Sequence, residues 1–119
     1  MPIGGEVMAG MPPTGTALAV DLRNAPALVA AEAPGWSVIV TRFALLDVRL
    51  IARVTPDLVL FPLFGDGFDA LQVVERLVTI GYRGRLCCIT QPLPAPEVVL
   101  RELEAANGGR SLRMVLRPS

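Results

Sequence analysis

Short apolar runs alternate with stretches of helical character along the chain from residue 16 onward. Because their residues are almost continuously apolar or β-branched, five runs predict buried strands: Thr16–Leu22, Ser37–Thr41, Asp57–Phe61, Arg85–Thr90 and Leu112–Leu116. Helical spacing and capping residues predict four helices between them, over 25–32 with Asn24 as its cap, 43–54, 68–80 and 96–106. Strict alternation of strand and helix predicts an α/β domain with a parallel sheet.

The first fifteen residues differ from the rest in composition. They contain four glycines and three prolines, which predicts a flexible N-terminal tail, 1–15, in front of a single domain, 16–119. Ile3, Val7 and Met8 are the apolar residues of this tail that could dock onto the domain.

Charge and composition exclude several functional classes. Eleven basic residues balance eleven acidic ones, which argues against a nucleic-acid partner or an anionic membrane surface. The chain has no histidine, so histidine-based catalysis and histidine-ligated metals are excluded. Hydrophobic residues make up 52% of the chain and charged residues 18%, which favours a sheet covered on both faces, a partner-binding surface, or both.

The two cysteines, Cys87 and Cys88, are adjacent. Neighbouring cysteines do not form a disulfide framework, and without histidine partners they do not form a zinc site. Their position inside a predicted strand favours a core role over a redox role. Together with the lack of a signal peptide pattern or a membrane-length apolar run, this predicts a cytoplasmic protein with no membrane segment, no metal and no cofactor.

Three segments resemble bacterial response-regulator receiver domains: PDLVLFPLFGDGFDA at 56–70, GYRGRLCCIT at 81–90 and MVLRP at 114–118. Aligned in this way, the resemblance extends over residues 16–118. It implies a flavodoxin/receiver-like, doubly wound, five-stranded parallel sheet with the strand order 2-1-3-4-5. It also implies a functional pocket at the carboxyl ends of the strands.

That pocket departs from the family's chemistry, which is phosphoryl transfer to an aspartate beside a bound divalent cation. The resemblance aligns the phosphoacceptor with Pro62, and the acidic pair with Asp21 and Leu22. Thr90 takes the place of the switch hydroxyl, and Arg117 that of a conserved lysine, followed by a proline that the family places in a cis bond. The resemblance thus implies a degenerate receiver, or pseudo-receiver, that is not an enzyme.

The chain also ends where a receiver would continue into a fifth helix. One face of the sheet is therefore expected to lack cover, and the candidates for covering it are the tail, a second copy of the chain, or an output domain of a longer parent protein. Five residues are candidates for buried or interface positions: Leu86, Leu112, Met114, Leu116 and Trp36. Trp36 fits an interface anchor and a core-covering residue equally well.

Two acids after the third predicted strand leave a second hypothesis open. Asp66 and Asp69 either form an acidic rim with Asp21 or serve as a turn residue and a helix cap, and the second interpretation is favoured. The leading function is a phosphorylation-independent protein-interaction or dimerisation module of bacterial signalling. The alternative is a small ligand- or cation-binding domain, or an enzyme, that uses Asp21 and Asp66.

Overall fold

A computed structural model describes residues 3–118. Its strands and helices, in chain order, are β1 Ile3–Gly4, β2 Gly15–Val20, α1 Ala25–Glu32, β3 Trp36–Thr41, α2 Val48–Val54, β4 Leu58–Pro62, α3 Ala70–Ile80, β5 Arg85–Thr90, α4 Pro96–Ala106 and β6 Arg113–Leu116. No helix within this part of the chain has the length and apolarity needed to cross a lipid bilayer.

All strand pairs are parallel, and the sheet has the order β1-β6-β5-β4-β2-β3. Its five longer strands follow the predicted order 2-1-3-4-5, so the receiver-like fold is confirmed. The sixth strand, β1, was not predicted, and it adds to the outer edge of β6 by pairing Ile3 with Met114 and Gly4 with Val115.

Two apolar layers cover the sheet. On one face, α2, α3 and α4 pack over a large cluster that includes Leu18, Phe61 and Met114. On the other face, α1 packs over a smaller cluster centred on small residues such as Ala17 and Ala19. Successive residues of a strand point to opposite faces, so the continuous apolar runs are explained by burial on both sides.

The N-terminal segment takes part in the second layer. Residues 3–12, which we call the strap, run from the edge of β6 across the face that carries α1. Val7 and Met8 are only 1% and 6% exposed and pack with Cys87 and Val115. Of the candidates for covering this face, the tail is thus the one found there. The boundary between tail and domain at residue 15 stays a prediction.

One predicted helix is wrong in its extent. Instead of a single helix over 43–54, a 3-10 turn at Phe43–Leu45 precedes α2, which begins at Val48. The interruption falls at Asp47, whose extended backbone (φ −140°) and side chain cap α2 by accepting a hydrogen bond from the Leu50 N–H at 2.8 Å. Asn24 occupies the N-cap of α1 as expected, but its side chain makes no capping hydrogen bond.

Candidate functional site

The carboxyl ends of the parallel strands bring the four predicted pocket residues to one edge of the sheet. Asp21 follows β2, Pro62 ends β4, Thr90 ends β5, and Arg117 follows β6. In open α/β sheets this edge is where ligands bind. Here it contains two shallow clefts that both include Thr90, one extending toward Pro62 and the other toward Arg117.

Asp21 joins the loops that follow two neighbouring strands. Its backbone has φ of +54°, a left-handed conformation that aspartate tolerates better than most residues. Its N–H donates to the Thr41 carbonyl at 2.8 Å, and its Oδ2 accepts from the Phe43 N–H at 3.1 Å. One carboxylate oxygen is therefore engaged in holding the β3 loop, while the side chain remains exposed.

The cleft beside Pro62 is mostly apolar. It has a volume of about 460 Å³ and is lined by residues 62–64 and 89–93, of which Thr90 and Gln91 alone have polar side chains. Phe64, at its rim, is 77% exposed. A site suited to phosphoryl chemistry would need charged groups here, whereas this cleft is lined mainly by apolar side chains.

The loop after β4 is held by an aromatic cluster. The Phe68 ring stacks on Phe43 with centroids 4.8 Å apart, and the Arg76 guanidinium lies 3.9 Å from the Phe43 ring centroid. Arg76 Nη1 also donates to the Phe43 carbonyl at 2.9 Å. Since Phe43 is the residue whose N–H donates to Asp21, the same cluster fixes the loop beside that carboxylate.

Asp66 and Asp69 lie apart in role. Asp69 is the N-cap of α3 in a reciprocal capping box: its Oδ1 accepts from the Gln72 N–H, and its own N–H donates to Gln72 Oε1, both at 2.9 Å. Asp66 is exposed in the turn before Gly67, which has φ of +80°. Within residues 3–118, no group of three or more His, Cys, Asp or Glu side chains could hold a metal ion.

Replacing Asp69 by alanine tests this cap. The Asp69→Ala change should lower the free energy of unfolding by about 1 kcal/mol, because the first turn of α3 loses its capping partner. Asp66→Ala, three residues earlier in the same loop, is the matched control and should change stability by less than about 0.5 kcal/mol. Urea denaturation followed by circular dichroism measures both. Equal losses in the two variants would contradict the assignment.

Arg117 is turned toward the strap. Its backbone N–H donates to the Thr90 carbonyl at 2.8 Å, continuing the ladder between β6 and β5. Its guanidinium Nη1 approaches the carbonyl of Gly5 in the strap, at 3.4 Å. The peptide bond before Pro118 is trans, since residues 3–118 contain no cis peptide bond, and this differs from what the resemblance implies.

The residues named as buried or interface candidates lie in the chain's own core. Leu86, Leu112 and Met114 are buried under the helices α2 to α4, and Leu116 is half-buried against them. Trp36 is buried on the opposite face, where its indole N–H donates to the Pro12 carbonyl at 2.8 Å. These side chains therefore present little surface to a partner.

Both cysteines are free and buried, one on each face of the sheet. Burial raises the pKa of Cys87 to about 12, against a smaller lowering by Arg113. Burial, reinforced by the neighbouring Cys87, raises the pKa of Cys88 to about 12. The thiolate that redox or nucleophilic chemistry requires is therefore scarce at neutral pH.

Two further residues matter that sequence reasoning did not single out, Glu32 and Arg113. Both contact the strap, Glu32 from the end of α1 and Arg113 from the start of β6. Their strap partners lie 24 to 107 positions away in the sequence. No local pattern signals contacts at such a separation.

Comparisons with known proteins give a consistent fold. No protein-family model and no curated protein matches the sequence. The signal receiver domain of the putative response regulator NarL from Mycobacterium tuberculosis aligns with a TM-score of 0.59 at 15% identity, over 87% of this chain and 85% of that one. A two-component response regulator of the LuxR family from Aurantimonas sp. SI85-9A1 aligns with a TM-score of 0.58 at 18% identity, over 85% and 74%.

A third similar structure is the receiver domain of a modulated diguanylate cyclase from Desulfovibrio desulfuricans G20, described as an example of alternate folding. It aligns with a TM-score of 0.54 at 22% identity, over 79% of this chain and 76% of that one. Identities this low show the fold alone. The chain therefore has the receiver-like α/β fold.

Proposed function

We propose that this chain is a pseudo-receiver, a phosphorylation-independent protein-interaction or dimerisation module of bacterial signal transduction. The observation that carries the proposal is Pro62 at the end of β4, where the resemblance places the phosphoacceptor. Proline has no carboxylate, so an acyl phosphate cannot form at this position.

The other polar groups at this edge support the same proposal. Asp21 lacks a second acid beside it, because Leu22 follows, and its carboxylate accepts a backbone hydrogen bond from Phe43. A single carboxylate is a poor site for a hard divalent cation, which prefers several oxygen ligands. Arg117, in place of the family's lysine, approaches the strap. Asp21 and Arg117, which align with groups that phosphoryl transfer would use, thus make contacts within the fold.

Recognition through apolar contacts is what this edge can offer. The cleft of about 460 Å³ beside Pro62 and the exposed ring of Phe64 form an apolar surface. Burying an aromatic side chain of this kind in an interface contributes about 1.5–3 kcal/mol, enough to anchor a partner. The partner is a protein of the cytoplasm, a second copy, or an output domain of a longer parent, and no enzymatic activity is proposed.

Intact mass spectrometry tests the absence of phosphorylation. After incubation with acetyl phosphate and Mg²⁺, we expect no mass increase in this chain, whereas a receiver that has its phosphoacceptor, treated in the same way, should gain one phosphoryl group. A stoichiometric gain that Asp66→Asn or Asp21→Asn abolishes would overturn the proposal. Such a result would instead support the alternative in which the rim carboxylates form a ligand- or cation-binding or catalytic site.

A further inference from the structure

The strap is held mainly by hydrogen bonds to its backbone groups. The Glu32 carboxylate accepts hydrogen bonds from two successive strap N–H groups, those of Val7 at 3.1 Å and Met8 at 2.8 Å. A carboxylate that receives two adjacent backbone N–H groups forms charge-assisted hydrogen bonds, which are stronger than neutral ones. The end of α1 thereby fixes the middle of the strap.

Cationic side chains hold the strap's carbonyl groups in turn. The Arg113 guanidinium donates to the carbonyls of Glu6, at 2.9 Å, and Ala9. Arg117 approaches the carbonyl of Gly5 at 3.4 Å. The strap side chains that are buried are Val7 and Met8, which enter the apolar cluster beneath.

These contacts define a groove with the chemistry of a peptide-binding site. Its floor is the small-residue face of the sheet, and its walls carry the groove residues Glu32, Arg113, Arg117 and Trp36. At one end, the edge of β6 pairs with only two residues of the strap, Ile3 and Gly4. Strand addition to a sheet edge, combined with pockets for a few side chains, is a general mode of peptide recognition.

We propose that this groove is a docking site for the N-terminal strap of a second copy of the chain, so that two copies associate by exchanging straps. The occupant is identified by the structure, because this segment is already seated in the groove. Only Pro13 and Thr14 lie between the strap and β2, and short connections of this kind favour the exchange of a terminal segment between copies. The inference deepens the proposed dimerisation role, on which it rests in part.

Exchange is opposed by the strap of the same chain. A tethered segment competes at an effective concentration in the millimolar range, so the unmodified chain should be mostly monomeric at micromolar concentrations. A pair of variants with complementary defects removes this competition. The strap variant, Val7→Asp, has an intact groove, and the groove variant, Glu32→Lys, has an intact strap.

The reactivity of the Cys87 thiol shows whether a groove is occupied by a strap. Cys87 belongs to the same buried apolar cluster as Val7 and Met8, so the thiol lies beneath the strap. Loss of the strap should expose it to a thiol-specific alkylating reagent. Cys88, on the opposite face beneath the helices, should stay unreactive as long as the domain is folded. The two variants differ in mass, so mass spectrometry identifies which chain is labelled.

The experiment mixes the two variants at tens of micromolar and combines sedimentation velocity with alkylation. We expect each variant alone to be a monomer with a reactive Cys87. The mixture should contain a 1:1 heterodimer in which Cys87 of the strap variant is protected at least tenfold. A mixture that sediments as monomers with unchanged Cys87 reactivity would overturn the inference. Should Val7→Asp expose Cys88 as well, Val7→Ala replaces it.

A peptide gives a second, independent readout. A fluorescent peptide of residues 1–13 should bind the strap variant, as measured by anisotropy, and the same peptide with Val7→Asp should not. Equal binding of the two peptides would contradict a specific groove. The two proposals fail in different experiments. Incorporation of a phosphoryl group would overturn only the proposed phosphorylation-independent function. A mixture of variants that stays monomeric would overturn only the exchange of straps.

Discussion

Between pH 9 and 12 the free energy of unfolding should fall steeply. The sequence has no lysine and no histidine, so the side chains with ordinary pKa values between 7 and 12 are Cys87, Cys88 and Tyr82. Burial raises the pKa of each thiol from about 9 to about 12. Burial, reinforced by Asp57 and opposed by Arg85, also raises the pKa of Tyr82.

The sign of the effect follows from proton binding. A group whose pKa is higher in the folded state keeps its proton there while the unfolded chain releases it, so stability is lost as pH rises. The contribution of the thiols is complete below pH 9 and declines up to about pH 12. Each thiol contributes a slope of about 1.4 kcal/mol per pH unit. Over about three units the two together amount to about 8 kcal/mol, which is comparable to a typical domain stability.

Urea denaturation at a series of pH values measures this slope. Stability should be nearly constant from pH 6 to 8.5, since no histidine titrates there. The matched control is the double variant Cys87→Ala and Cys88→Ala, which should lose most of the decline between pH 9 and 10. A decline in this double variant as steep as in the unmodified chain would show that other groups cause the alkaline transition.

The alternation of apolar strands with helices predicted a parallel sheet buried on both faces, whereas the order of its strands was implied by the resemblance to receiver domains. Runs such as Arg85–Thr90 leave no ambiguity between strand and loop, and alternation with helices then restricts the topology. The apolar spacing over 43–54 is compatible with a single helix, and the prediction of one was wrong. The Asp47 side chain caps a helix by accepting a local hydrogen bond, so α2 begins only at Val48. The spacing of apolar residues does not show where a side-chain cap interrupts a helix.

The candidate site was only partly predictable. Strand ends placed Asp21, Pro62 and Thr90 at one edge, since parallel strands share their carboxyl ends. The strap was predictable only in part: Val7 and Met8 were recognised as residues that could dock, but the glycines and prolines around them favoured a flexible tail. The strap is held by hydrogen bonds to residues distant in the sequence, such as Glu32, and no local pattern predicts these contacts.

Replacing Phe68 by alanine should lower the free energy of unfolding by about 3–4 kcal/mol, whereas the same change at Phe64 should cost less than about 0.5 kcal/mol. Phe68 is 6% exposed and stacks on Phe43, so its removal leaves a cavity and ends an aromatic contact. Phe64, in the same loop, is 77% exposed. The two residues therefore form a matched pair in which chemistry is equal and burial differs.

Urea denaturation of both variants measures the difference, and equal losses would contradict the arrangement of this loop. Because Phe64→Ala should leave the fold intact, it separates the effect of the apolar rim of the cleft beside Pro62 from effects on stability. When a partner protein binds at that rim, Phe64→Ala should weaken the binding of this partner at least tenfold and leave the denaturation curve unchanged. If partner binding were lost in Phe68→Ala and kept in Phe64→Ala, binding would depend on the stability of the loop. The exposed Phe64 ring would then make no contribution to it.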